Sequence, residues 1–166
     1  MPTVYRSKKE LPLGALDQAL EWGLPLLPVM ADSLYGNDFG FRQGLRERHL
    51  QYAVQVEPST VGWTTDPDLL LPVPKKKLGR PRKYPPMETL AQPDSLEKVA
   101  ERLPASAWYT LTWRQGSRGA ERSRFAMLPV WAAHAWRKHT HPPQAMEWLL
   151  VELHPGEPQP TKYWLA

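Results

Sequence analysis

Two groups of residues in this sequence have types and spacing that could do chemistry. The first is one carboxylate, Asp32, which follows the apolar run Pro25-Leu26-Leu27-Pro28-Val29-Met30-Ala31. A carboxylate just past the carboxyl end of a buried strand lies in the crevice where open α/β sheets bind ligands. Its oxygens suit a hard cation such as magnesium. The same position also suits an aspartate that only starts the following turn, and both readings stand at this point. The second group is Lys75, Lys76, Lys77, Arg80, Arg82 and Lys83, six cations with no acid among them. The chain before them carries a net −3 and the chain after them +1, against a total of +4. The positive charge is therefore localised, as at an anion-binding segment.

The elements that must position these groups follow from periodicity and punctuation. Residues 10–22 read as a helix with Leu13, Leu16 and Leu20 on one face, Pro12 in the first turn and Gly23 at its end. The strand before Asp32 is placed at 28–31, because Pro28 cannot donate to a ladder, and is expected to be buried on both faces. Ser33 to Asp38 reads as a loop, with Asn37 or Asp38 capping a helix that runs to about Arg48 through Phe41 and Leu45. Tyr52, Val54 and Val56 alternate with Gln51 and Gln55 as in a half-buried strand. Helix, strand, helix, strand in this order argues for an α/β sheet with parallel neighbours.

Residues 57–93 hold no sustained period and read as a linker or insertion loop. A short helix is expected at 94–102, capped by Asp94 or Ser95. A β-hairpin follows from 108–114 and 122–132, and a second strand pair from 148–153 and 162–165. The organisation is thus residues 1–58, 59–93 and 94–166.

Several classes are excluded or disfavoured. With no cysteine, disulfides and thiolate-bound zinc are impossible. The 19 prolines and 10 glycines disfavour long helices, and no apolar run approaches a membrane span. The first residues lack the apolar stretch of a signal peptide, so a cytoplasmic location is expected. His134, His139 and His141 are irregularly spaced for a zinc site and read as loop residues. Ser33 lacks the flanking glycines of a nucleophile elbow. The tryptophans of the β-rich half read as its core, with stacking on bases a second use.

The stretch Val29-Met30-Ala31-Asp32-Ser33-Leu34-Tyr35-Gly36, then Phe41-Arg42, then Leu50-Gln51-Tyr52-Ala53-Val54, resembles the second-aspartate region of insertion-sequence DDE transposases. Leu111 to Gly119 resembles that family's insertion hairpin. Glu147 to Glu152 and Pro160 to Leu165 resemble the segment before its last catalytic helix. The resemblance implies a partial RNase H-like core, a mixed sheet with flanking helices, followed by a β-rich insertion. It also implies Mg2+-dependent DNA strand cleavage and strand transfer, with Asp32 as a catalytic, metal-holding carboxylate. The other two carboxylates are then expected before residue 1 and after Leu165, with Glu57 as a local helper. A fragment of this kind is expected to be inactive alone and to work at the prokaryotic nucleoid. DNA is the implied partner, along with self-association through exposed strand edges or pairing with a full-length transposase.

Gly79-Arg80-Pro81 also resembles the AT-hook, whose arginines enter a narrow minor groove. This supports a non-enzymatic DNA-binding protein as the alternative. A solvated linker with nonspecific phosphate affinity fits the segment equally. A receiver-like domain phosphorylated on Asp32 lacks the acidic pair and the lysine it would need.

Overall fold

A computed structural model describes residues 10–25, 27–67, 92–116, 119–133 and 145–166. The chain folds as two compact units. One holds the described residues up to Glu57 together with Trp164–Ala166, and the other holds those of Pro58–Tyr163.

The first unit begins with α1 (Glu10–Glu21), which ends at Gly23 in the left-handed conformation, φ +70°. A glycine adopts this at no steric cost. The expected apolar face is present but only half covered: no α1 residue is fully buried. Then come β1 (Val29–Ala31), α2 (Ser33–Gly36), α3 (Phe39–Glu47) and β2 (Tyr52–Val56). β1 and β2 pair in parallel, Val29 with Tyr52 and Ala31 with Val54. Two expectations are corrected. β1 is not buried on both faces, since Met30 is 67% exposed. Nor is Ser33 to Asp38 a plain loop, because its first four residues form a helical turn. Such a turn is too short to show a period, so only its cap residue is legible.

α3 supplies most of the core here. Asp38 caps it by accepting from the Phe41 N–H at 2.8 Å, and Phe41 and Leu45 are buried with Val54 and Val56 of β2. α1 lies on α3 through Leu13, which sits where a side chain at Gly44 would be. The Arg48 guanidinium grips both oxygens of Asp17, at 2.6 and 2.7 Å. That grip holds the Asp17 carboxyl below its ordinary range.

The second unit is β-rich, as expected. It contains β3 (Val61–Trp63), β4 (Asp94–Ser95), α4 (Leu96–Glu101), β5 (Tyr109–Gly116), β6 (Gly119–Ala132) and β7 (Met146–Leu153). β8 (Lys162–Leu165) follows β7 in the chain. β3 falls within the stretch expected to hold no element, and three residues are too few to show alternation. The fourteen-residue β6 organises the unit. Its first half pairs antiparallel with β5, its second half with β7, and its end with β3. Ser95 caps α4, whose Leu96, Val99 and Ala100 are buried. With parallel and antiparallel pairing and flanking helices, the fold class is the expected mixed α/β.

The tightest spot in the first unit is Gly36, whose Cα lies against the Gln55 backbone of β2. A methyl there would overlap the Gln55 carbonyl oxygen. Gly36→Ala should therefore destabilise the chain by about 3 kcal/mol in urea unfolding. Gly44→Ala should cost less, since the tip of Leu13 can swing aside. Equal costs would show that α2 is free to shift.

Burial pushes the Tyr163 phenol up to about 12, with the Glu97 and Glu101 carboxylates adding to the effect. The folded state therefore keeps a proton that the unfolded chain loses near pH 10. The contribution to stability is intact below pH 10 and lost as pH rises through about 12. Over that window wild-type stability should fall by about 2 kcal/mol more than that of Tyr163→Phe. Parallel alkaline profiles for the two proteins would count against it.

Candidate functional site

Asp32 follows directly on β1, at the carboxyl end of the parallel β1–β2 pair, and its side chain is exposed. Its backbone is extended and its Oδ1 accepts from the Leu34 N–H at 3.1 Å, so the residue is the N-cap of α2. Its carbonyl accepts from the N–H groups of Tyr35 and Gly36 at 3.2 and 2.8 Å. Both readings of the sequence thus coincide in one residue: it starts the helical turn and it lies at the strand end.

Three contacts hold this turn in place. The buried Arg42 donates from Nη1 to the Gly36 carbonyl at 2.5 Å, tying α3 to the end of α2. The Tyr35 and Phe41 rings meet at 5.3 Å between centroids. Asn37 Oδ1 accepts from the Glu57 N–H at 3.0 Å, which fastens the turn to the exit of β2. In the sequence Phe41 marks a helix face with Leu45, and Arg42 stands out only as its neighbour downstream of Asp32. In the fold these two side chains are the clamp on the Asp32 turn.

The remaining candidates separate. Glu57 is exposed just past β2, at the same end of the parallel pair as Asp32. Glu147 and Glu152 are buried in β7 of the second unit. Glu152 faces His154 Nε2 at 3.5 Å and Lys162 Nζ at 4.0 Å. The basic residues Lys75, Lys76, Lys77, Arg80, Arg82 and Lys83 lie outside the described residues, as do His134, His139 and His141.

A polar network was not legible in the sequence. Trp113 Nε1 donates to the Ser123 hydroxyl at 3.2 Å, and Ser123 lies 3.2 Å from His154 Nδ1. Its one sequence signal is a serine at a position that proves buried in β6. With Ser123 buried and its oxygen accepting from an indole, this set fastens strands rather than presenting a nucleophile. A cavity of about 420 Å³ in the same unit has Trp63, Val99, Leu103 and Leu128 in its wall. At its polar side Asp94 and Arg102 pair at 2.5 Å.

A divalent cation can be tested against these donors. Asp32 and Glu57 offer the hard oxygens it prefers. Among the described residues, however, no three His, Asp or Glu side chains gather into a metal-holding group. The described donors therefore do not make a complete centre, and no catalytic step through a metal follows from them. No described helix is long and apolar enough to cross a membrane.

Comparison with known proteins gives the family of the chain. The family model described as DDE superfamily endonuclease matches residues 2–120, a span that contains α1 to β5 and the whole Asp32 turn. Enzymes of that family act on DNA with divalent metal ions. No curated protein matches the chain. Since the model covers well over half of the sequence, the chain belongs to the DDE superfamily endonucleases.

Proposed function

We propose that this chain is part of a transposase that cuts and rejoins DNA strands, and that Asp32 is one of the carboxylates holding its Mg2+. The observation that carries this reading is the exposed Asp32 carboxylate on a clamped turn at the end of a parallel strand, inside the family match. Bound divalent ions would supply charge neutralisation at the phosphodiester and an activated water or 3′-hydroxyl. The protein's own contribution at this site is positional. Capping of α2 fixes the Asp32 side chain before any ligand arrives, and Arg42 keeps the turn from shifting. Among the described residues no further carboxylates complete the centre, and on this reading the 166-residue chain does not cut DNA alone. A DNA substrate places its work at the nucleoid, with a full-length transposase as a natural partner.

Asp32→Asn and Asp32→Ala separate the two roles of the residue. Asparagine still accepts from the Leu34 N–H, so stability should hold, whereas alanine should cost about 1 kcal/mol. Both should abolish Mn2+-induced broadening of the Leu34 amide resonance, which the wild type should show at millimolar ion. Broadening that persists in Asp32→Asn would remove Asp32 from the metal site. Metal-dependent nicking of plasmid by the purified chain would overturn its inactivity alone.

A second reading rests on the charge of residues 75–83, +6 in nine residues. It makes the chain a DNA-binding protein without catalysis of its own. If all six cations meet phosphates, log K for duplex DNA should fall against log salt with a slope of roughly −5. Replacing the six with glutamine should flatten that slope. An unchanged slope would show that the segment does not touch DNA.

A further inference from the structure

The cavity of the second unit has walls of one chemistry and an edge of another. β3 and β4 supply Gly62 and Asp94, β6 supplies Leu128, and α4 with the residues that end it supplies Val99, Arg102 and Leu103. The strand register explains why the space is open. β3 lies between β4 and β6, with Gly62 opposite Asp94 on one side and Ala132 on the other. Residues directly opposite in a ladder share a face. Side chains alternate along a strand, so Leu128 is on that same face of β6. Asp94 and Leu128 therefore rise from one sheet face, and Gly62 on the strand between them adds no side chain to fill the gap.

The cavity holds about 420 Å³, near the small end of ligand pockets, which run from about 300 to 1,000 Å³. That suits one ring system rather than an extended chain. Val99, Leu103 and Leu128 give it apolar walls, while its charged groups are one carboxylate and one guanidinium, which cancel. A phosphate needs an excess of positive charge, and a hard cation needs more than one carboxylate. The lining instead fits a flat, neutral ring with apolar faces and hydrogen-bonding groups on one edge. Asp94 Oδ2 accepts from Arg102 Nη1 at 2.5 Å, so an acceptor group and a donor group stand side by side. A carboxylate has about four lone-pair sites and a guanidinium five N–H donors, so this one bond leaves both with capacity.

We infer that this cavity is a binding site for a guanine ring, with Asp94 and Arg102 reading its edge. Guanine carries two neighbouring donors, N1–H and the 2-amino group, beside the acceptors O6 and N7. The Asp94 carboxylate accepts from the two donors, and the Arg102 guanidinium donates to the acceptors, its commonest pairing with this base. Adenine and cytosine place an amino group beside an unprotonated ring nitrogen and so give the carboxylate a single donor. Guanine is the base that satisfies both members of the pair, and a buried polar group left unpaired is what makes such a site selective. The inference does not rest on the role proposed for Asp32, which lies in the other unit.

The experiment is calorimetric titration of the full 166-residue chain with guanosine up to about 1 mM, with saturation-transfer NMR for weak binding. Guanosine should bind. Inosine, which lacks the 2-amino group, should bind more weakly by about tenfold, the worth of one hydrogen bond to a charged group. Asp94→Asn should lose guanosine by a similar factor and gain xanthosine, whose 2-carbonyl accepts from the asparagine amide. A merely structural role for Asp94 would not produce that exchange of preference. The Arg102 side chain is 66% exposed, so Arg102→Ala should weaken guanosine binding with its circular dichroism unchanged. The inosine comparison uses the wild type and decides the matter even if a variant fails to fold. Two arms separate the sources of the ring. Guanosine binding as tightly as a guanine-containing single-stranded oligonucleotide assigns the site to a free nucleoside. Much tighter binding of the oligonucleotide than of its inosine counterpart assigns it to an unpaired guanine within a strand. Failure of both ligands to bind would overturn the proposal, as would equal affinity for adenosine or an Asp94→Asn variant with unchanged preference.

Discussion

The geometry around Asp32 depends on a backbone approach that leaves no room for a side chain. Gly36 ends α2 against the Gln55 backbone of β2, and its carbonyl accepts from the buried Arg42 guanidinium. The two contacts need each other. Without the close approach, the Gly36 carbonyl would stand away from α3 and the arginine would lose a partner where an unsatisfied charge is costly. Without the arginine, a helix of four residues would have only its cap, the Tyr35–Phe41 contact and the Asn37–Glu57 bond to hold it. The position of the carboxylate is therefore set by neighbours that never touch it.

The second unit is ordered on a different principle. Its long strand β6 meets three partners in turn, so a single element carries the register of β5, β7 and β3. Near the start of the β6–β7 ladder the chain buries polar groups instead of apolar ones. Trp113 donates to Ser123, and Ser123 can donate to an unprotonated His154 Nδ1. That leaves the proton on Nε2, which faces Glu152. Hydrogen bonds thus join Trp113, Ser123 and His154, and the 3.5 Å approach of Nε2 to Glu152 is a contact rather than a further hydrogen bond. The arrangement ties three strands at one point and gives the buried Glu152 carboxylate a counterpart.

Much of this fold could be read from the residues alone, for reasons that differ by element. α3 and β2 were legible because Phe41, Leu45, Val54 and Val56 keep strict periods and are core residues. Asp38 and Ser95 announced their helices because capping is local chemistry. The hairpin was legible from its turn residues, although β5 and β6 both run further toward the turn than expected. Elements that rest on tertiary contacts were not legible. α2 is too short for a period, and β3 and β4 have three and two residues. The exposure of Met30 was missed because an apolar run does not say how many neighbours cover it. At the site, Asp32 stood out by its place after a strand, whereas the Arg42 clamp joins two separate helices and Ser123 meets His154 across a long sequence separation, relations that no single-element period reports.

The capping role of Asp32 is compatible with its proposed role in holding a cation, and the first assists the second. A carboxylate has two oxygens with about four lone-pair directions, and capping the Leu34 N–H occupies one. The cap also removes side-chain freedom that a ligand would otherwise have to freeze. An aspartate that caps a clamped turn is thus better prepared to hold a cation than one on a loose loop, because less ordering opposes binding. Preparation is not affinity, however. Among the described residues Asp32 belongs to no group of three or more such donors, too few ligands for a hard cation to give up its water shell. On the proposed reading, tight binding and catalysis therefore require further oxygen donors at the end of the β1–β2 pair.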